Sequence, residues 1–477
     1  MNVDNVDTPP GRVVVVGGGI AGLAAAHRVL LAGRRVTLLE ATGRLGGKLH
    51  AGDIAGAPVD LGAESMLARR PEGIELATAV GLGGDLQPPA TAAASVWTRG
   101  VLRPMPKGHV MGVPGGAGGL GGLLSDEGLR AVARDRALPP ADPGEDVAIG
   151  AYVAQRMGHE IVDRLVEPLL GGVYAGDAYR ISMKAAVPRL LDAVRAHGTL
   201  TEAVGSLLPA PQAVPRQTPA PVFTGLRGGI GRLPLAVAEA IRERGGEIRT
   251  ETPVHALTRR ADGWEVRTDT EVLHADAVIL AAPAWSASAL LAAESPAASA
   301  ELAAVEYASM SLVTLAFRRA DLAGTFPAGS GFLVPPVDGR TIKASTFASQ
   351  KWQWIADGAP DLLVLRTSLG RYGEESHLAW DDAELVAASL KDLGDAVGLT
   401  ARPVATRVVR WIDGLPQYPV GHHARVARIR DAVAELPGLR VCGAAYDGVG
   451  IPAVVADARR AAEEIDAILP NPAGPVR

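Results

Sequence analysis

The run Gly17-Gly18-Gly19-Ile20-Ala21-Gly22 constrains this chain more than any other feature, because of what flanks it. Arg12–Val16 predicts a buried strand, and Ile20–Ala32 predicts a helix stopped by Gly33. Arg35–Glu40 predicts a second strand, so the chain opens as a βαβ unit. In G-x-G-x-x-G each glycine has its own task. Gly17 permits the tight turn, Gly19 lets backbone approach a pyrophosphate, and Gly22 allows close helix–strand packing. The helix start at Ile20 and Ala21 offers free N–H groups and a partial positive charge to phosphates. Glu40, followed by Ala41, closes the second strand; its carboxylate is placed to accept from ribose hydroxyls and would repel a 2′-phosphate. The chain has 57 Gly, so the motif alone is weak evidence; with both strands, the helix and Glu40 it predicts a dinucleotide site.

Composition excludes several alternatives. At 48% hydrophobic and 21% charged, the 477 residues are those of a folded chain with two or three domains. A formal charge of −5 gives no support to nucleic-acid binding. The one cysteine, Cys442, excludes an intramolecular disulfide framework and sits in an apolar run that predicts an inert, buried thiol. His422-His423 lacks metal-ligand spacing, so no metal site is expected. The start MNVDNVDTPP does not read as a signal peptide. Two uncharged stretches, Gly108–Ser125 and Ala277–Ala293, fall short of the ~20 apolar residues of a spanning helix. The second predicts a buried strand and a helix started behind Pro283, leaving at most peripheral membrane contact.

Further along, helices are expected near Arg69–Gly81 and Leu123–Ala137, and from Asp146 to about Val204 with a break at Gly171–Gly172. Prolines in Leu208–Val222 predict an exposed connector. A helix after Gly231, strands at Glu247–Thr250, Trp264–Thr268 and Val278–Ala282, a strand-rich stretch from Ser309 to Leu369, and helices Asp382–Val397 and Pro452–Leu469 complete the pattern. The fold class expected is α/β.

Arg44-Leu45-Gly46-Gly47-Lys48 closely follows Glu40 and resembles the R-x-G-G turn of the FAD-dependent amine oxidase and phytoene desaturase superfamily. Asp60-Leu61-Gly62-Ala63-Glu64-Ser65 is similar to that superfamily's loop near the flavin ring, and Glu251-Thr252-Pro253-Val254 to its adenine-contacting segment. Leu439–Gly443 with Gly448-Val449-Gly450-Ile451-Pro452 resembles its C-terminal flavin motif, where a helix start faces the ring's pyrimidine end. One departure is Ala444, where many flavoproteins carry an Asp; Asp447 stands three residues on.

Glu167–Asp177, Gly329–Pro335, Ser349-Gln350-Lys351-Trp352, Gly370-Arg371 and Arg410-Trp411 with Pro416–Tyr418 and Gly421-His422 narrow the resemblance to the porphyrinogen oxidases of haem biosynthesis. Arg103–Gly108 is most similar to the Gram-positive branch, whose members act on coproporphyrinogen III. The resemblance implies a discontinuous Rossmann-like FAD domain (1–65, 225–290, 426–477), a mixed-sheet substrate domain (66–110, 191–224, 291–425) and a helical, membrane-binding-like domain (111–190). It implies FAD as cofactor, a porphyrinogen substrate, dioxygen as acceptor with hydrogen peroxide formed, a cytoplasmic or membrane-peripheral location, and a transient contact with the next enzyme of the pathway. Trp411 is expected beside the flavin. Gly331, Phe332, Leu333 and Val334 are candidates for the wall over the substrate plane. Lys343, Lys351, Arg366 and Arg371 are candidates for its propionates, the more so because Ser95 stands where some relatives carry Arg. No general base is assigned. Protoporphyrinogen IX oxidation, amine oxidation and a non-enzymatic flavin- or porphyrin-binding scaffold remain alternatives.

Overall fold

The computed structural model describes residues 11–209 and 221–470. The βαβ opening forms as strand Arg12–Val16, helix Ile20–Leu31 and strand Arg35–Leu39. Val13, Val14 and Val15 are wholly buried, as a parallel strand covered on both faces requires. These strands lie in a five-stranded parallel sheet ordered Glu247–Arg249, Arg35–Leu39, Arg12–Val16, Ala277–Leu280, Leu439–Val441. Three distant stretches of chain thus build one sheet. Helices Ile20–Leu31, Arg232–Glu243 and Ile451–Ile468 cover one face. The meander Val254–Arg260, Gly263–Thr268, Val272–Ala275 and helices Ala284–Leu291, Pro296–Ala303 and His422–Ala434 cover the other. The uncharged stretch after Asp276 is therefore a buried strand and a helix behind Pro283. Among the described residues no helix is long and apolar enough to cross a membrane.

A seven-stranded mixed sheet follows the order Ala405–Pro416, Tyr307–Arg318, Leu362–Leu369, Ile342–Thr346, Gly331–Leu333, Ala94–Thr98, Val101–Pro104. Helix Asp382–Val397 has a capping box from Asp381 and Glu384, and lies over one face. A buried Thr367–Ser389 hydroxyl pair at 2.8 Å pins it there.

The helical cluster has at its centre a buried Arg156–Asp135 ion pair at 2.5 Å, with Thr201 N–H donating to the same carboxylate. The expected break at Gly171–Gly172 does not occur. Helix Glu167–Tyr174 runs through both glycines and ends at Ala175, whose φ is 50°. The small residues serve contact instead: a Cβ on Gly172 would lie 3.6 Å from Leu333 Cδ2. Helices Pro188–His197 and Leu200–Leu207 pack into this same core, and Pro296–Ala303 packs under the parallel sheet. Boundaries placed at 190, 290 and 425 therefore cut into or just short of helices that belong to the preceding or following core. Residues 210–220 of the Pro-rich connector lie outside the described residues.

Candidate active site

The glycines of the first turn differ in what surrounds them. Gly17 has φ +110°, and a Cβ there would meet Ala281 O at 2.8 Å; a Cβ on Gly22 would meet Gly17 O at 1.8 Å. Gly19 faces open space, with nothing within 4 Å of its Cβ position. It caps the helix Ile20–Leu31 without a side-chain hydrogen bond, and the first turn holds no acid. Gly450 caps Ile451–Ile468 in the same bare fashion, and its Cβ position is also open. A Cβ on Gly443 would lie 3.9 Å from Ala21 Cβ, which sets the loop leading into the last helix beside the first helix start. Two neighbouring sets of unpaired amides fit a ligand with a pyrophosphate and a second anionic end.

Around this turn the other candidates assemble. Glu40 accepts from Gly18 N at 2.7 Å, Thr42 N at 2.9 Å and Thr42 Oγ1 at 2.7 Å. Gly46 N donates to Gly18 O at 2.8 Å, and a Cβ on Gly47 would lie 3.3 Å from Gly19 Cα. Arg44 closes its own turn by donating to Gly47 O at 2.6 Å, and its guanidinium stands 5.9 Å from the Trp411 ring centre. Lys48 makes no ion pair among the described residues, and burial lowers its pKa. Thr252 N donates to Glu40 O, laying the segment before Val254 beside Glu40 and Ala41.

The loop Asp60–Ser65 is held from several sides. Ala63 N donates to Lys48 O at 3.0 Å, and Trp411 Nε1 donates to Leu61 O at 3.2 Å. A Cβ on Gly62 would meet Lys48 O at 2.1 Å and Trp411 Cζ2 at 3.1 Å, so only glycine fits. Arg366 donates to Gly62 O at 2.8 Å and Asp60 O at 3.2 Å. Asp60 accepts from Ile230 N and Gly231 N, yet burial raises its pKa to about 6. Glu64 pairs with Lys351 at 2.5 Å and with Arg366 at 3.0 Å. Burial would raise its pKa, but Arg366 and Lys351 outweigh burial and hold it at about 2.

The substrate candidates need correction. Strand alternation splits the run Gly331–Val334 between two faces. Leu333 faces Gly172, but Phe332 is 2% exposed and packs edge-on against Trp97 and Phe347. Val334 joins the same core. Lys351 and Arg366 are committed to Glu64 and Arg371 donates to Val334 O at 3.0 Å, so none is a free rim cation. Lys343 sits at a register shift between Ile342 and Ala344, a bulge that aims it out of the strand's alternation. Its ammonium is buried without a hydrogen-bond partner among the described residues; burial, aided by Arg371, lowers its pKa to about 7.

Asp447 does not replace the Asp missing at Ala444, because Arg430 takes both its oxygens at 3.0 and 2.6 Å. Asp457, which the sequence reading missed, accepts from Gly443 N at 2.9 Å. Its signal is an acid placed among Val454, Val455, Ala458 and Ala461 on the buried face of the last helix.

A family model described as flavin containing amine oxidoreductase matches residues 20–466, and the chain belongs to that family. It is an FAD-dependent oxidoreductase. Among curated proteins it is similar to the coproporphyrinogen III oxidase of Mycobacterium tuberculosis (strain ATCC 25618 / H37Rv), 38% identical and covering 96% of this chain and 97% of the relative. The coproporphyrinogen III oxidase of Bacillus subtilis (strain 168) is 32% identical over 92% and 95% of the two chains. The protoporphyrinogen oxidase of Bos taurus is 29% identical over 96% and 99%. A crystal structure from Exiguobacterium sp. 255-15 superposes with TM-score 0.85 at 35% identity, covering 96% of this chain and 99% of that one.

Proposed function

We propose that this flavoenzyme oxidises coproporphyrinogen III to coproporphyrin III. The reading is carried by the 38% identity that extends along 96% of the chain to proteins named coproporphyrinogen III oxidase. The porphyrinogen is a non-aromatic macrocycle with four methylene bridges. Its aromatisation removes six hydrogens in three two-electron steps; with dioxygen as acceptor, three O2 become three H2O2. When bound, FAD supplies the hydride acceptor. The protein's work is then positioning. The amides of the turn Gly17–Gly22 would hold its pyrophosphate, with Glu40, Ala41, Arg44, Gly46, Gly47, Lys48 and Val254 beside them. Gly62, Ala63, Glu64, Ser65 and Trp411, with Gly443, Val449, Gly450 and Ile451, would hold its ring. Leu333, on the strand face that Phe332 and Val334 do not share, remains the proposed apolar contact for a flat macrocycle, with Gly331 beside it in the strand. Aromatisation itself favours the product, so little acid–base assistance is needed.

The parallel sheet draws strands from three stretches of chain, which supports a discontinuous FAD domain with 1–65 as its first part and its later parts bounded near Ala304 and Gly421. The mixed sheet then heads a substrate domain, and helices up to Leu207 a helical domain. A cytoplasmic or membrane-peripheral location and a transient contact with the pathway's next enzyme belong to the same proposal.

Aerobic rates on coproporphyrinogen III and protoporphyrinogen IX, followed by porphyrin fluorescence with peroxide measured in parallel, test the reading. Faster turnover of the tetracarboxylate with three peroxides per porphyrin is expected. A preference for the dicarboxylate, or turnover of a primary amine alone, overturns it. Binding of coproporphyrinogen without anaerobic bleaching of the flavin would favour a scaffold.

A further inference from the structure

The segment Gln417–His422 connects two parts of the molecule that share no sheet. On one side it is fastened to the helical cluster. Gln417 Nε2 donates to Tyr174 O at 2.9 Å, and Ser182 N donates to Tyr418 O at 2.8 Å. Gly421 N donates to Asp146 Oδ2 at 3.0 Å, and the Tyr174 and Tyr418 rings lie 5.8 Å apart. On its other side it grips the loop that leads into the last helix. Tyr418 O–H donates to Ala444 O, and His422 Nε2 meets Tyr446 O at 2.7 Å. The two side chains brace each other as a stacked pair, ring centres 4.0 Å apart and planes 18° apart.

A carbonyl only accepts, so Nε2 of His422 carries the hydrogen and Nδ1 is the bare nitrogen. Nδ1 is buried and has no partner among the described residues, and burial lowers the His422 pKa to about 4, which keeps this neutral tautomer. The loop is then held by three hooks from three elements: Gly443 N–H on Asp457, Ala444 C=O on Tyr418 and Tyr446 C=O on His422. Every hook turns a peptide dipole toward protein. Beyond the loop the last helix starts at Gly450 with no side-chain cap. Val449, between the two glycines, packs against the helical core, a second tie to the same cluster.

We infer that Tyr418 and His422 are positioning residues that fix the peptide planes of the loop 443–446 and so aim the start of the last helix at the negative charge of reduced flavin. The inference rests on the FAD-dependent reading above and extends it. Neither side chain is assigned contact with substrate or cofactor. Their effect passes through the backbone, and it favours the reduced form because oriented amides stabilise an anion more than a neutral ring.

The test is the two-electron midpoint potential of the purified holoenzyme, measured against a reference dye for wild type, Tyr418→Phe, His422→Leu and His422→Gln. Tyr418→Phe and His422→Leu are expected to weaken the preference for reduced flavin about tenfold, a shift of about −30 mV in a two-electron couple. His422→Gln keeps an N–H donor and is expected to restore the wild-type value. Tyr152→Phe is the control: Tyr152 O–H donates to Ala141 O at 2.7 Å in the helical cluster, away from the loop. It removes a similar buried bond, lowering the melting temperature without moving the potential. If Tyr418→Phe and His422→Leu bind FAD and melt lower, yet keep the wild-type potential, the side chains are merely structural and the inference is wrong. A colourless wild-type protein would instead defeat the flavin reading itself. Should Tyr418→Phe fail to fold, the His422→Leu and His422→Gln pair decides alone.

Discussion

Gly19→Val separates folding from cofactor binding. Gly19 has φ −70° and ψ 175°, extended backbone that any residue adopts, and a Cβ there meets no atom within 4 Å. The protein alone therefore accommodates valine, whose side chain projects into the space in front of the turn's free amides. Losing a glycine at a compatible position also reduces the entropy of the unfolded chain, by ~0.4–1 kcal/mol for alanine. Folding of the apoprotein should be unharmed or slightly favoured. Binding should not survive, since a pyrophosphate cannot share that space with a branched side chain. FAD at 100 times its Kd contributes about 2.7 kcal/mol to the wild type. At ~2.1 cal/mol/K per residue, 477 residues unfold with an entropy of about 1 kcal/mol/K, so the cofactor raises the wild-type Tm by about 3 °C. Thermal melts with and without FAD, together with the visible spectrum, read the outcome. The variant should melt like wild-type apoprotein, show no shift with FAD and purify colourless. Gly22→Ala should fail in the opposite way, by misfolding, because its Cβ would lie 1.8 Å from Gly17 O. A yellow Gly19→Val protein with stoichiometric FAD would refute the placement of the cofactor.

Glu64→Gln leaves the buried cations Lys351 and Arg366 without their carboxylate, at a cost of about 3–5 kcal/mol in urea unfolding; a loss under about 1 kcal/mol would mean the pairs are solvent-screened. Acid should destabilise the protein in two stages. His422 titrates near 4 when folded and at 6.5 when unfolded, so the unfolded chain binds the proton first and about 3 kcal/mol is lost as pH falls through that window. Glu64 titrates near 2 when folded against 4.5 unfolded, so its contribution is complete above 4.5 and lost toward 2, again about 3 kcal/mol. Urea midpoints across both windows check this; an unchanged upper limb in His422→Gln contradicts it. Phe332→Ala should cost ~3–5 kcal/mol in stability with little change in KM, whereas Leu333→Ala should raise KM; the reverse pattern would put Phe332 back in the substrate wall.

What the sequence made legible is mostly backbone chemistry. Glycines that must turn, pack or stay bare are marked by their spacing, and the strand–turn–helix frame followed from local periodicity. The helix Asp382–Val397 was readable to the residue because Asp381 and Glu384 form its capping box. The helix His422–Ala434 is harder to read although Val426, Ile429 and Val433 have helical spacing, since it starts at Gly421 with no side-chain cap and no acid in its first turn. Partnerships across the chain left no local trace. Lys351 and Glu64 are separated by 287 positions, and only the folded sheet brings them together. Which side of a strand a residue faces was equally hidden at Gly331–Val334, where a short run gives no periodicity to count. The bulge that redirects Lys343 depends on its partner strand, not on its own sequence.

The distribution of positive charge near the mixed sheet constrains how a tetracarboxylate is held. Lys351 and Arg366 serve Glu64, Arg371 serves Val334 O and Glu374, and the Lys343 ammonium is buried. A propionate that recruited Lys351 would take one of the two cations that hold Glu64, whose side chain is 12% exposed, and leave it Arg366 alone, against the ~0.2–1 kcal/mol an exposed carboxylate pair returns. If the substrate lies on this sheet, these four cations are not free to supply much of its affinity. Lys351→Met discriminates between the two arrangements. If Lys351 braces the flavin loop, the variant melts at lower temperature while KM for coproporphyrinogen III, per FAD bound, stays within about threefold of wild type, less than the ~1 kcal/mol of an exposed ion pair. If it anchors a propionate, KM rises tenfold or more, the ~1.4 kcal/mol of a charge-assisted bond. That second result would show that Glu64 yields its partner to the substrate.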